Sequence, residues 1–433
     1  MLRLGSSLQF ISESIGKLRT SGFIRSFFSV GFSKVVASLL NFIFMVYSVR
    51  ILSKNENGIF QYYSGFLPVL LAVAEFGLPT ALVRFLSPMT EDKRKIGVLL
   101  ASSLWVKWAA LFLLVVVTGV AVYFLKENAL AAFLLVFGSF VLSFNSYFES
   151  IFVSFGQYHA LSIWYPLPNL IRILILYLAD QFSEHALGHL DILGIFSVAP
   201  VFTIVLFFLL FPRGKLHWAG DKEEVRQQTR ELISFNRYAF LASLFAIVSD
   251  RMELFFLNKY HSNEAVAAYG VALQPFSGFV ILFSVLNSMI YPKLSRLTEN
   301  KEFTSYLGKS ILVAVVFALA LGPWVFLGDW VFSALFSGKY PESVPVFQLL
   351  YPNYLFQLVF SPLGMALFAL GQPRLLAILA LVRLIFGLIL DNLLIPEYGT
   401  MGAAGAFFLG QIPSWFLLSG YFLAYYKPSA KQS

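Results

Sequence analysis

Apolar runs close to the twenty residues needed to cross about 30 Å of hydrocarbon recur along this whole chain. Inside a bilayer every backbone N–H and C=O must be paired within the protein, so a spanning segment is either an α-helix or a strand of a closed barrel. The runs are continuous rather than alternating, which excludes the barrel. Only 12% of the 433 residues are charged and 58% are hydrophobic, with mean hydropathy +0.76; a soluble domain carries about 25% charged residues. The expected fold class is an all-α polytopic membrane protein. Twelve spans are expected, near 28–50, 58–86, 98–125, 129–154, 161–179 and 191–211, then 232–257, 265–292, 306–328, 344–370, 375–395 and 402–426.

Loop charge sets orientation. With the N-terminus inside, the inner segments hold twenty Lys and Arg, and the outer turns hold five, namely Arg50, Lys54, Lys126, Lys259 and Lys339. The positive-inside rule then places both termini in the cytoplasm. The same asymmetry explains the net charge of +8 without nucleic acid as a partner. Residues 1–27 lack the compact apolar core of a signal peptide. Leu4, Leu8, Ile11, Ile15 and Leu18 recur there at helical spacing beside basic residues, the pattern of an amphipathic helix on the membrane surface.

The chain repeats. Leu86–Lys93 (LSPMTEDK) returns as Leu294–Lys301 (LSRLTENK) with five of eight positions identical, and Asn55-Glu56 returns as Asn263-Glu264 at the same offset of 208. Gly156-Gln157 matches Gly371-Gln372 further on, with the offset drifting to 215. A duplication of this kind predicts an N-lobe over 28–211 and a C-lobe over 232–427, joined by a polar linker at 212–231. Six spans per lobe is an even number, so the lobes enter the membrane the same way round, as parallel repeats about an axis along the membrane normal. No stretch remains for an ATPase or a large catalytic head, and zero Cys excludes thiol chemistry and disulfides.

Ten ionisable residues fall within the expected spans: Lys34, Glu75, Lys107, Glu149, Arg172, Asp250, Arg251, Glu253, Arg383 and Asp391, with Arg84 at a span end. Each costs about 2.5–3.5 kcal/mol at the bilayer centre, so the central ones must face protein or water. Lys34, Glu149, Glu253 and Asp391 lie near span ends, where they can snorkel. Lys34, Ser38, Asn41, Met45 and Ser48 fall on one helix face, as do Gln61, Gly65, Pro68, Ala72, Glu75 and Pro79. The seventh and eighth spans carry matching stripes, from Asn236 to Glu253 and from Gly270 to Ser288. Four facing stripes would line a water-filled central cavity between the lobes; the alternative is that they are helix–helix contacts, where small and polar residues also concentrate. Pro68 and Pro79 remove backbone hydrogen bonds and permit bends, which a moving lobe could use. His185 and His189 share the i,i+4 spacing of a metal pair, but their loop is short and has no HExxH pattern, so no metal and no cofactor is expected.

Several of these motifs together resemble a known family. Arg50-Ile51-Leu52-Ser53, Gly58-Ile59-Phe60-Gln61-Tyr62, the run from Glu75 to Phe85, Asp250-Arg251 and Met401-Gly402-Ala403-Ala404 are similar to the polysaccharide transporter family, the O-antigen-type flippases of the multidrug/oligosaccharidyl-lipid/polysaccharide exporter superfamily. Lys54-Asn55-Glu56-Asn57 departs from it, standing where a Gly-Pro-type turn is common. The resemblance implies a transporter rather than an enzyme. Such a protein moves a polyprenyl-diphosphate-linked oligosaccharide across the bacterial inner membrane for lipopolysaccharide or other polysaccharide biosynthesis. It works by alternating access driven by H+ or Na+, among membrane lipid and alongside a polysaccharide polymerase and glycosyltransferases. On that reading Lys34, Asn41, Arg84, Lys107, Arg172, Arg251 and Arg383 are the candidates for the cargo's diphosphate and sugar, and Glu75, Glu149 and Asp250 for ion coupling. Three alternatives stay open. A multidrug or cation antiporter of the same superfamily should have an acidic cavity, whereas the acids and bases in the spans balance five to five. A peptidoglycan-precursor flippase usually has fourteen spans. A membrane-embedded polysaccharide-assembly enzyme would need an accessible acid or metal cluster.

Overall fold

The computed structural model describes residues 22–89, 91–211, 220–297 and 299–425. The chain is an all-α polytopic membrane protein: every regular element among the described residues is helical. Through the N-terminal half these are α1 (Gly22–Ile51), α2 (Lys54–Glu75), α3 (Leu78–Leu86), α4 (Lys93–Leu125), α5 (Ala129–Ser154), α6 (Tyr158–Trp164), α7 (Leu167–Phe182), α8 (His189–Val198) and α9 (Val201–Leu210). The C-terminal half carries α10 (Lys222–Ser249), α11 (Met252–Tyr260), α12 (Asn263–Leu273), α13 (Ser277–Leu294), α14 (Asn300–Leu321), α15 (Gly328–Phe336), α16 (Ser343–Ala369) and α17 (Pro373–Tyr425). Eight of the described segments are long and apolar enough to cross a membrane. Large apolar side chains such as Trp105, Phe112, Tyr123, Leu319, Phe326 and Phe416 stand exposed on the outside, an arrangement that only a hydrocarbon solvent favours.

Local chemistry explains where helices start and stop. Ser53 caps α2 by accepting from the Glu56 amide, and Ser262 caps α12 by accepting from Ala265, each with an acid in the first turn. The two Gly-Gln turns match in backbone detail. Gly156 and Gly371 both have φ near +65 (65 and 67°), and Gln157 and Gln372 both donate back to the carbonyl five residues earlier, at Phe152 and Leu367. That is the glycine-terminated helix end, where only glycine enters the left-handed region without strain. The break in the second expected span lies at neither Pro68 nor Pro79. Pro68 sits within an unbroken α2, and Pro79 occupies the first turn of α3, where its missing N–H costs nothing. The chain leaves the helix at Phe76 and Gly77, both left-handed.

α17 is 53 residues long, about 80 Å at 1.5 Å per residue, far more than one crossing requires. It doubles back at Gly399, the one non-helical residue within it. A Cβ on Gly402 would overlap the Leu394 carbonyl, and one on Gly410 would lie 3.2 Å from Gly387 Cα. Ser414 Oγ donates to the Leu379 carbonyl at 2.8 Å. The two arms therefore run antiparallel in direct contact, as the expected spans at 375–395 and 402–426 require.

Two expectations change. The segment 212–231 is not linker throughout: α10 begins at Lys222, capped by Asp221 with Glu223 and Glu224 in its first turn. Its early turns are too polar to read as a span, but they are helical and are held against α4 by Arg94–Glu224 at 2.6 Å and Ser102 Oγ to the Val225 carbonyl at 3.0 Å. The amphipathic helix expected at 1–27 falls mostly outside the described residues; residues 22–27 open α1.

The apolar cores are not distributed evenly. One cluster is shared between the halves: Val49, Tyr62, Tyr63 and Leu67 pack with Leu254, Val266, Tyr269, Phe347 and Phe407. It lies at the end of the bundle formed by the expected outer turns. Towards the other end the cores separate. Leu86, Leu99, Phe152, Trp164 and Phe207 form a cluster built on the N-terminal half with Leu232, while Leu294, Phe303, Leu367, Leu379 and Phe422 form one wholly within the C-terminal half. A Gly402→Val substitution, which forces a branched side chain into the Leu394 backbone, should lower stability by about 3 kcal/mol or more, at the upper end of overpacking costs. Thermal unfolding of the purified protein in detergent, followed by monodispersity on gel filtration, measures it.

Candidate functional site

At the shared end, the turn after α1 meets the turn after α15. Lys339 Nζ donates to the carbonyls of Val49 (3.1 Å), Arg50 (3.3 Å) and Leu52. Those are last-turn carbonyls of α1, which lack partners in their own helix and carry the negative end of its dipole. Arg50 does the same in return, with Nε on the Leu335 carbonyl at 2.6 Å and Nη2 on Ala334 at 2.7 Å, in the last turn of α15. Each half thus supplies the cation that caps a helix of the other. Lys54–Glu342 at 2.6 Å and Asn57 Nδ2 to the Tyr340 hydroxyl at 3.1 Å complete the latch. Burial, with Lys54 close by, lowers the Lys339 ammonium below its ordinary range. Asn55 and Asn263, which occupy equivalent places in the repeat, hydrogen-bond to one another at 2.8 Å. This contact between matching residues is the kind a two-fold relation produces.

The polar stripes are partly helix contacts. A Cβ on Gly58 would overlap the Asn263 backbone, one on Gly270 would meet Gln61 at 2.8 Å, and one on Gly65 would meet Leu254 at 2.7 Å. In their outer portion the stripes on α2 and α12 therefore let two backbones approach closely. Ser48 turns its hydroxyl to Phe44 within α1.

The cations expected to line a cavity divide into two groups. Lys107 is 1% exposed and donates to the Ser143 carbonyl at 2.8 Å and to the Ser143 hydroxyl, over the Phe144 and Tyr147 rings. Arg172 is buried; Nε and Nη2 bind the Phe196 carbonyl at 3.2 and 2.9 Å and Nη1 binds Asn169, whose amide reaches the Ala37 carbonyl. Both knit helices within the N-terminal half: a buried cation survives by giving its donors to the protein. Lys34, 54% exposed, lies 3.8 Å from Glu149 and 4.7 Å over the Tyr165 ring, and Tyr165 donates to the same carboxylate at 2.6 Å. Arg84 is exposed, with its guanidinium 4.5 Å from the Phe235 ring centre. Asn41 is half-buried on α1, and Glu75 is half-buried close to Ser146 and Lys107.

The C-terminal half holds the denser charge. Asp250 pairs with Arg383, whose guanidinium lies 5.3 Å from the Phe407 ring centre. Glu253 and Asp391, expected to snorkel, do the opposite: they are 2% and 1% exposed. Glu253 Oε2 and both Asp391 oxygens have no hydrogen-bond partner among the described residues, and the same holds for the buried Tyr269 hydroxyl. The two acids interact electrostatically with each other, and Glu253 also with Arg383 and Asp250. Sequence position near a span end hid them. The available signal was that Glu253 and Asp391 sit in phase with Asp250 and Arg383, three and eight residues on, facing a partner helix rather than lipid. Half-buried Arg251 stands at the break between α10 and α11; its backbone N–H donates to the Val248 carbonyl at 3.0 Å, and its guanidinium has no ion pair or hydrogen bond among the described residues. At the start of α8, His189 Nδ1 lies 2.7 Å from Glu56, and near the end of α7 Asp180 accepts from Tyr47 at 2.7 Å.

Comparison with known proteins adds sequence and fold relations. The family model described as "Polysaccharide biosynthesis protein" matches residues 23–298. An uncharacterized membrane protein of Methanocaldococcus jannaschii is 24% identical over 419 residues, covering 86% of this chain and 80% of its own length. A probable low-salt glycan biosynthesis flippase of Haloferax volcanii is 24% identical over 185 residues, 42% of this chain and 39% of its own. Among solved structures, the lipid II flippase MurJ in an inward closed conformation is similar with TM-score 0.70 at 13% identity, over 91% of this chain and 87% of that one. An inward-facing multidrug resistance MATE family transporter of the MOP superfamily reaches 0.64 at 14% identity, over 91% and 96%.

The chain has no Cys, so Asn55→Cys with Asn263→Cys gives a background-free reporter of the shared end. A short bifunctional thiol reagent should cross-link most of the double variant. Adding Lys339→Met, which removes three donated contacts, should lower the cross-linked fraction severalfold, read as a gel shift after cleavage between the two sites; an unchanged yield would show that the latch does not hold this end.

Proposed function

Because this chain belongs to the polysaccharide biosynthesis protein family, we propose that it is a flippase carrying polyprenyl-diphosphate-linked oligosaccharide from the inner to the outer leaflet of the cytoplasmic membrane. The observation that carries the mechanism is the arrangement of cores, one broadly shared at one end of the bundle and two largely divided at the other, where only Leu232 and Phe235 of α10 join the N-terminal cluster. In this arrangement the shared end is closed and the lobes splay at the divided end. The lobes are residues 28–211 and the C-terminal half from α10 onward, and both termini face the cytoplasm as the loop charges require. The polar latch then has to come apart for the outer side to open, and its contacts are of a kind that water replaces at little net cost.

For the cargo, the cations that keep free or shared donors are the ones that matter. Arg251, Arg84 and Lys34 remain in that set with Asn41, while Lys107 and Arg172 leave it for the protein interior. Arg251 is the strongest of these, since a diphosphate gives it the charge-assisted partners it lacks among the described residues. For coupling, the acids move from Glu75 and Glu149 to Glu253 and Asp391, next to Asp250–Arg383. Two buried carboxyls with unpartnered oxygens are stable only when they hold a proton or a small cation between them. Taking up or releasing that ion changes the charge beside Arg383 and so the contact between α11 and α17. The same acids also suit a cation-coupled exporter of small molecules, and one assay separates the two readings.

In liposomes, leaflet exchange of a fluorescent polyprenyl-diphosphate sugar should depend on an imposed H+ or Na+ gradient. Arg251→Ala should slow exchange by roughly tenfold, the loss of one charge-assisted hydrogen bond. Asp391→Asn should leave residual exchange that no longer responds to the gradient. Gradient-driven efflux of an organic cation, with no exchange of the lipid-linked sugar, would move the protein to the exporter reading.

A further inference from the structure

The seam between α4 and α10 holds a groove of about 960 Å³ that lies apart from the charges discussed above. Its α10 wall presents Lys222, Arg226 and Arg230, spaced four residues apart, so all three cations share one helix face. No acid lines it. Glu224 is turned to Arg94 at 2.6 Å and Glu231 accepts from Gln228 at 3.2 Å. Arg226 and Arg230 are exposed and form no ion pair among the described residues. Beyond the cations the walls become apolar, with Val73, Trp105, Ala109, Leu113 and Phe240.

Dimensions and charge indicate the occupant. Arg230 and Phe240 are ten residues apart on α10, about 15 Å along the helix, which is half of the roughly 30 Å hydrocarbon thickness. The groove is therefore one leaflet deep, with its cations at the water-facing end on the side the loop charges mark as cytoplasmic. Its floor is shut off from the space between the halves by Phe76 against Phe240, ring centres 4.6 Å apart, and by Asn236 packed on Gly77. The groove therefore does not open into the space between the halves, while Trp105 and Leu113 on its wall stand exposed on the outside of the bundle, where membrane lipid lies.

We propose that this groove is a binding site for an anionic phospholipid of the surrounding leaflet. Its phosphate sits on Lys222, Arg226 and Arg230, where guanidinium groups can bind it bidentately, and its acyl chain runs along Trp105, Ala109 and Leu113. Bound there, the lipid bridges α4 of one half and α10 of the other. The site does not depend on what cargo the protein moves.

The test uses bromine, which quenches tryptophan on contact. The full chain is reconstituted in phosphatidylcholine vesicles in which about one lipid in ten is acyl-brominated phosphatidylglycerol or, in parallel, acyl-brominated phosphatidylcholine. The Trp105→Phe variant isolates the Trp105 share of the signal. Phosphatidylglycerol should quench that share severalfold more than phosphatidylcholine. R226Q/R230Q should reduce the preference by at least about fivefold, the effect of losing a cation near a charged membrane surface, while quenching by brominated phosphatidylcholine persists and reports that the variant is folded. Equal quenching of Trp105 by both lipids would overturn the proposal, as would a preference unaffected by R226Q/R230Q. Relief of quenching by polyprenyl diphosphate at amounts equal to the protein would also overturn it, by assigning the groove to the cargo. These readouts are independent of flipping, so this site and the flippase reading can fail separately.

Discussion

In hydrocarbon a backbone amide left without a partner costs several kcal/mol, and the rest of this structure follows from how that cost is avoided. It explains why the apolar stretches are helical, and it also decides where a helix can break. The second span breaks at Phe76–Gly77, directly against Asn236. The seventh breaks at Asp250–Arg251, where Arg383 reaches across to Asp250. The helix of residues 373–425 turns back at Gly399, whose neighbour is the His261 ring, itself within 2.7 Å of the Ile395 carbonyl. At each place the chain leaves its helix against a polar side chain from another segment.

The same rule applied to helix ends produces the latch. The last carbonyls of a helix need donors, and Lys339 and Arg50 supply them across the halves in both directions. Contacts of this kind fix one arrangement without the area of a dry apolar interface, and exposed polar contacts are individually worth little. The shared apolar core beneath them holds the two halves together; towards the other end one cluster lies wholly in the C-terminal half and the other is built on the N-terminal half with Leu232 and Phe235 of α10.

Charge inside the bundle follows one further division. Where a cation can give its donors to nearby carbonyls, as Lys107 does to Ser143 and Arg172 to Phe196, it becomes a structural tie. Where carboxyl oxygens are buried without a hydrogen-bond partner among the described residues, as at Glu253 Oε2 and both oxygens of Asp391, no such tie forms. The first arrangement holds helices together within a half, and the second is the one on which the proposed ion coupling rests.

The sequence by itself determined the membrane as solvent, the helical class, the repeat and the positions of most helix ends. These rest on local properties: hydrophobic run length, the small share of charged residues, and an offset that returns the same turn at Gly156 and Gly371. It did not determine which charges matter. Glu253 and Asp391 read as snorkelling residues because distance along the chain from a span end was the only measure of depth available. Their burial depends on α11 and α17 lying side by side, a contact between residues more than 130 positions apart. The breaks at Phe76 and Asp250 escaped prediction for the same reason: each lies against a polar side chain from another segment, Asn236 and Arg383, and the sequence does not say which segment that is. Burial and hydrogen-bond satisfaction are properties of neighbours in space, and only the tertiary structure decided them.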